Sequence, residues 1–206
     1  MKKATRPRGR PPSLGREAML DGMKAQFWSG GFSRRSMDEL ARAAGASKPS
    51  LYSAFGDKRA IYLEVLRSFE ADLERMLRIT LSGRRPLASE LETFFAASVE
   101  FYTSGENAQL GCPILGTAVA EGVEEPEVRE QLAGTIRTID EAFLKRLRHA
   151  VDGGELAPAV PVENLTLSLS SLLHSIALRA RAGTEPGALR AMTSGSLDLI
   201  FRQAGA

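Results

Sequence analysis

Chemistry-bearing side chains are scarce in this chain of 206 residues. It has one cysteine, Cys112, and two histidines, His149 and His174, that stand 25 positions apart. A single cysteine excludes an internal disulfide and a cysteine-only metal site. There is no Gly-rich phosphate loop, no Gly-x-Ser-x-Gly elbow and no His-Glu-x-x-His pair. An enzyme would have to rely on carboxylates or lysines whose spacing carries no signal. The chain is therefore read as not an enzyme, with no catalytic residues, metal ligands or cofactor. No apolar run approaches the roughly 18 residues of a membrane span. The basic opening "MKKATRPRGRPPS" is followed by no apolar stretch of the signal-peptide kind. The expected location is the cytoplasm. Strand-like alternation is scarce, and the β-branched residues are not clustered.

What remains is helical and asymmetric in charge. Hydrophobic residues make up 43% and charged residues 25%, a globular composition. Residues 1–60 carry 13 Lys/Arg against 5 Asp/Glu, a net of +8. Residues 61–206 carry 14 against 20, a net of −6, which leaves +2 overall. A basic first quarter on an acidic remainder suggests a polyanion-binding head on a body that does not bind polyanions.

Periodicity and caps predict the elements. Residues 1–13 are rich in Arg, Pro and Gly and are expected to form a disordered basic arm. Leu20, Met23 and Phe27 recur at helical spacing over about 16–29, and Gly30-Gly31 stops that helix. Ser36 with Glu39 is a capping-box signature, and Gly45 ends the short helix it opens. Ser47 or Lys48 caps the next segment, and Asp57 caps a long helix to about Leu81. Further helices are expected at about 87–103, 111–122, 126–152, 162–182 and 186–203. The fold class is all-α: a helix-turn-helix head over 14–60 and a larger helical body over 61–206.

The stretch "SKPSLYSAFGDK" at 47–58 tests the helical reading, because it opens with a proline. The first N–H groups of a helix have no internal partner, so Pro49 at the first or second position costs little. The helix then runs from about Pro49 to Ala54. Leu51 and Phe55 share its buried face, which leaves Lys48, Ser50, Tyr52 and Ser53 pointing elsewhere. Two short helices joined by "AAGAS" match a helix-turn-helix, whose second helix enters the major groove. Small and polar residues at its start suit base edges, and hydroxyls and cations at its margins suit phosphates. The N-terminus of the following helix, with Lys58, is a further candidate phosphate site.

"GGFSRRSMDELARAAGASKPSLYSAFGDKRAIYLEVL", at residues 30–66, resembles the DNA-binding domain of the tetracycline-repressor (TetR) family of transcriptional regulators. The resemblance spans about residues 16–66. It rests on Gly31-Phe32, Ser36, Leu40-Ala41, Ala44-Gly45, Ser47-Lys48, Leu51-Tyr52, Phe55 and Lys58. The family usually has Thr where Arg35 stands, which substitutes a cation for a hydroxyl. The last 140 or so residues match mainly in helical layout.

The resemblance implies a homodimer bound to a palindromic operator and released by a small ligand. The implied DNA contacts are Arg35, Ser36, Ser47, Lys48, Pro49, Ser50, Tyr52, Ser53 and Lys58. Arg8 and Arg10 join them through an Arg-Gly-Arg-Pro core similar to an AT-hook. The last two helices would form the dimer interface through Leu165, Leu169, Leu172, Ile176, Leu189, Leu197 and Phe201. Leu66, Phe69, Leu73, Phe94, Phe101, Tyr102, Cys112, Leu115, Val119, Ile136, Phe143 and Leu173 are the candidate ligand pocket. They are apolar and free of Lys and Arg, which predicts a small hydrophobic ligand. The alternatives are a ligand-independent or architectural DNA-binding protein, or an activator.

Overall fold

The computed structural model describes residues 15–105 and 110–204. Among these are nine α-helices and no strand. They are α1 (Arg16–Gly30), α2 (Met37–Ala43), α3 (Lys48–Phe55), α4 (Lys58–Thr80), α5 (Leu87–Thr103), α6 (Pro113–Glu121), α7 (Pro126–Asp152), α8 (Val162–Arg181) and α9 (Pro186–Ala204). The all-α expectation holds. The basic arm, with Arg8 and Arg10, lies outside the described residues.

Local chemistry accounts for most boundaries. Ser36 and Glu39 form a complete capping box at α2. Ser47 caps α3 by accepting from the Ser50 N–H, and Pro49 sits in its first turn. Asp57 caps α4 by accepting from the Ala60 N–H at 2.8 Å. The start of α6 differs from expectation, at Pro113 rather than 111. Gly111 has φ +63°, and a Cβ there would collide with the Ala177 carbonyl of α8. That left-handed, tightly packed residue cannot open a helix.

Two apolar cores organise the molecule. One unites α1, α2, α3 and the first half of α4, with Met23, Phe27, Leu40, Leu51, Ile61 and Tyr62 at or near zero exposure. It also takes in Ile114 and Ala118 of α6 and Val128 of α7. The second joins α5, α7, α8 and α9 to the end of α4, around Phe94, Phe95, Phe143 and Leu173. Deleting one such side chain, as in Leu51→Ala, typically costs about 2–5 kcal/mol. α4 runs through both cores and so connects head and body.

A buried ion pair braces the body end of α4. Glu90 is fully buried and accepts from Arg146 Nε at 2.6 Å, the Ser82 hydroxyl and the N–H groups of Gly83, Arg84 and Arg85. Burial alone would push its carboxyl up; the Arg146 guanidinium and these donors outweigh it and hold Glu90 at about 2. Arg146 also donates to Glu155 at 2.9 Å and to the Arg85 carbonyl at 3.0 Å.

Candidate nucleic-acid interface and effector cavity

The α2–α3 pair presents a polar surface on a buried apolar base. Leu51 and Phe55 are buried beneath α3 beside Leu40 and Ala41 of α2. Lys48, Pro49, Tyr52 and Ser53 are exposed on it, and Tyr52 keeps 52% of its surface. Ser50 is half-buried, and its hydroxyl lies 2.8 Å from that of Ser47. Lys48 rests on Asp38 at 2.7 Å, but both side chains are solvated, so the pair is weak and easily exchanged for a phosphate. The phenol of Tyr52 and the ammonium of Lys48 are thus open on one helix.

Three expected contacts sit differently. Lys58 is not a solvated cation. Its Nζ donates to the carbonyls of Phe32 at 3.1 Å and Arg35 at 3.0 Å, and it lies 4.2 Å from the centre of the Phe32 ring. It holds the α1–α2 turn against α4, and the carboxylate of Asp57 already caps that helix. Arg35 folds back onto α1, donating to the Gln26 carbonyl at 2.7 Å and the Ser29 hydroxyl at 2.9 Å. Ser36 is exposed, but its hydroxyl and its N–H are both engaged with Glu39. The open cations nearby are Arg34 and Arg42, both exposed. The sequence reading missed both; for Arg34 the reason is that adjacent arginines in "SRRS" look alike until the fold turns one inward.

The body holds a cavity of about 150 Å³ between α4, α5 and the start of α6. Phe69, Leu73 and Met76 line it with Phe101, Tyr102, Cys112 and exposed Asp72. Leu73, Tyr102 and Cys112 also border a deeper gap of about 10 Å³, with Leu115, Ile136, Leu173 and His174. Burial pushes the Tyr102 phenol far up, and it raises the Cys112 thiol against the N–H groups of Leu115 and Ile114. Both stay protonated at neutral pH. Burial likewise lowers His174, against the opposing pull of Asp140.

Four expected pocket residues lie elsewhere. Leu66 is buried in the head core. Phe94 and Phe143 fill the body core edge to face, 5.4 Å apart. Val119 is exposed on α6. Periodicity placed each on an apolar face without saying which neighbour covers it.

Five of the seven expected dimer residues need correction. Leu169, Leu172, Ile176, Leu189 and Leu197 are buried in the chain's own body core, whereas Leu165 and Phe201 pack against it half-buried. The apolar side chains that α8 and α9 leave outside are Leu167, Leu178 and Leu199, at 57%, 57% and 61% exposure.

α6 links cavity to head. Its first residues wall the cavity. Thr117 accepts the buried Tyr62 hydroxyl of α4 at 2.8 Å. At its far end Glu121 accepts the N–H and hydroxyl of Ser33, in the α1–α2 turn, at 2.9–3.1 Å. Just beyond, Glu125 pairs with Arg59 of α4 at 2.8 Å. Trp28 of α1 donates to the Gly111 carbonyl at 3.0 Å and stacks on Phe101.

Known proteins share this fold. Residues 88–195 match the "Tetracyclin repressor-like, C-terminal domain" family, and residues 19–65 match "Bacterial regulatory proteins, tetR family". The HTH-type transcriptional repressor ComR of Escherichia coli is 26% identical over 85% of this chain and 84% of its own. The HTH-type transcriptional repressor AcnR of Corynebacterium glutamicum is 25% identical, covering 93% of each chain. A cysteine-substituted form of the TetR family transcriptional regulator CifR, solved with 26bp double-strand operator DNA, superposes with a TM-score of 0.84 at 25% identity. That match covers 92% of this chain and 98% of CifR. No helix among the described residues is long and apolar enough to cross a membrane. With both of its parts matched, the chain belongs to the TetR family of transcriptional regulators.

Proposed function

We propose that this chain is a cytoplasmic repressor that binds a palindromic operator as a homodimer and leaves it when a small, largely apolar ligand enters the α4–α5–α6 cavity. The observation that carries the reading is α6, one end of which walls the cavity while the other holds the α1–α2 turn through Glu121 and Ser33. A ligand that favours a wider cavity displaces that end of α6 and shifts the head between two arrangements. The present volume fits a guest of about benzene size, and a larger one requires α5 and α6 to part. In this reading Lys48, Ser50, Tyr52 and Ser53 meet the DNA, with Arg34 and Arg42 as flanking phosphate contacts. Arg8 and Arg10 extend into a minor groove. The outer faces of α8 and α9 join two copies.

Support also comes from ComR and AcnR, which are transcriptional repressors, and from the operator-bound CifR chain. The test begins with selection of duplexes from a random pool and then measures release by apolar compounds, sugars and metal ions. A two-fold-symmetric site released by apolar compounds is expected. Release by sugars or metal ions alone, or a site without two-fold symmetry, refutes the reading.

A further inference from the structure

A second hollow, of about 570 Å³, lies between the C-terminal part of α4, the loop after it and the C-terminal half of α7. It shares no lining residue with the α4–α5–α6 cavity. Its charge is one-sided. Arg78 comes from α4, Arg84 from the loop, and Lys145 and His149 from α7, while the lone acid in the lining is Glu74. None of Arg78, Arg84 and Lys145 takes part in a salt bridge among the described residues. Glu141 and Asp152 line the adjoining hollow on the other side of Lys145 and His149.

The frame beneath these cations is rigid. Glu90 clamps the loop by its backbone, and Arg146 ties α7 to that carboxylate. The His149 ring sits where any Cβ on Gly83 would come within 2.8 Å of it, so loop and ring are in close contact. Arg146 lines the hollow from below, and its Nη1 has no hydrogen-bond partner among the described residues. A buried guanidinium N–H is costly to leave unmatched. Three solvated cations held together from three segments repel one another, and a bound anion relieves that repulsion. The volume lies within the range of small-molecule sites, about 300–1,000 Å³.

We propose that this hollow binds a small polyanion bearing two or more carboxylate or phosphate groups, held by Arg78, Arg84 and Lys145 with His149 at its edge. Such a ligand differs in chemistry and place from the apolar effector, so either site can exist without the other. The experiment is titration calorimetry of the full chain at constant ionic strength, with inorganic pyrophosphate and tricarballylate as separate probes. Saturable binding of one molecule per chain is expected for at least one probe, and the probe that binds identifies the phosphate or the carboxylate class. Arg84→Ala and Lys145→Ala should each weaken it about tenfold, the loss of one charge-assisted contact. Arg67→Ala, which removes an exposed α4 cation outside the hollow, should leave it unchanged. Absence of saturable binding by both probes, or equal weakening by Arg67→Ala, overturns the proposal.

Discussion

Lys48 and Lys58 stand ten positions apart in one basic stretch and have opposite surroundings. Lys48 is solvated beside an exposed aspartate, whereas Lys58 is committed to two carbonyls and an aromatic ring. Lys48→Ala should therefore shallow the salt dependence of DNA binding by about one unit of slope, with the melting temperature unchanged. Lys58→Ala should instead lower the melting temperature and leave the slope in place. Salt-series anisotropy and thermal melts distinguish the two, and a reversed pattern would reject both assignments. Glu90 is a second residue whose surroundings decide its effect. Its folded pKa, about 2, lies below the ordinary 4.5, so the folded state binds fewer protons than the unfolded chain. The stability it contributes is complete above about pH 4.5 and drains away as the pH falls towards 2. Glu90→Gln should cost about 3 kcal/mol at neutral pH, because it takes from buried Arg146 the closer of its two carboxylates and leaves only Glu155. The gap between native and variant stability should narrow with acid. Urea denaturation across that pH range measures it, and a constant gap would reject the linkage.

Among the elements, α6 is short but touches the cavity, Tyr62 of α4 and Ser33 of the α1–α2 turn. Glu121→Ala should free the α1–α2 turn, raising amide hydrogen exchange at Ser33 while global stability changes by less than about 1 kcal/mol. Unchanged exchange at Ser33 would remove α6 as the connector. None of this was readable from the sequence, because Ser33 and Glu121 stand 88 positions apart. The helix starts were readable because caps are local: Ser36 with Glu39, Ser47 with Ser50 and Asp57 with Ala60 satisfy one another within a turn. The helix α3 was equally plain, since Leu51 and Phe55 fix which face is buried. What stayed hidden depends on partners distant in sequence. Arg35 and Lys58 look like free cations until the carbonyls of Gln26 and Phe32 come within reach. α8 carries leucines on two faces, and only the positions of α5 and α7 decide that Leu169 turns in while Leu178 turns out. The cavity was partly legible because Phe69, Leu73, Phe101, Tyr102 and Cys112 lie on apolar faces that converge. Phe94 and Phe143 share that pattern but fill a core.

For the whole molecule, the proposed dimer has a specific test. Leu167 and Leu178 are eleven positions apart, about three helical turns, and so share the outer face of α8. Leu178→Glu should convert a species of about 45 kDa, twice the 22.3 kDa chain, into a monomer by sedimentation. Leu169→Ala should instead destabilise the fold, since that side chain is fully buried. A native chain that sediments as a monomer rejects the two-fold assembly. The core of the DNA-binding head has a separate consequence. Ile114, Ala118 and Val128 belong to it, so part of the head's interior is supplied by the body. A graft of residues 15–60 onto another regulator would arrive without those side chains. Its fit would depend on what the new host offers at the corresponding turns of its sixth and seventh helices. If the exposed residues of α3 read the operator as proposed, exchange of specificity between such proteins is easiest through those residues alone. Transplanting the entire head requires its share of α4, α6 and α7 to travel with it.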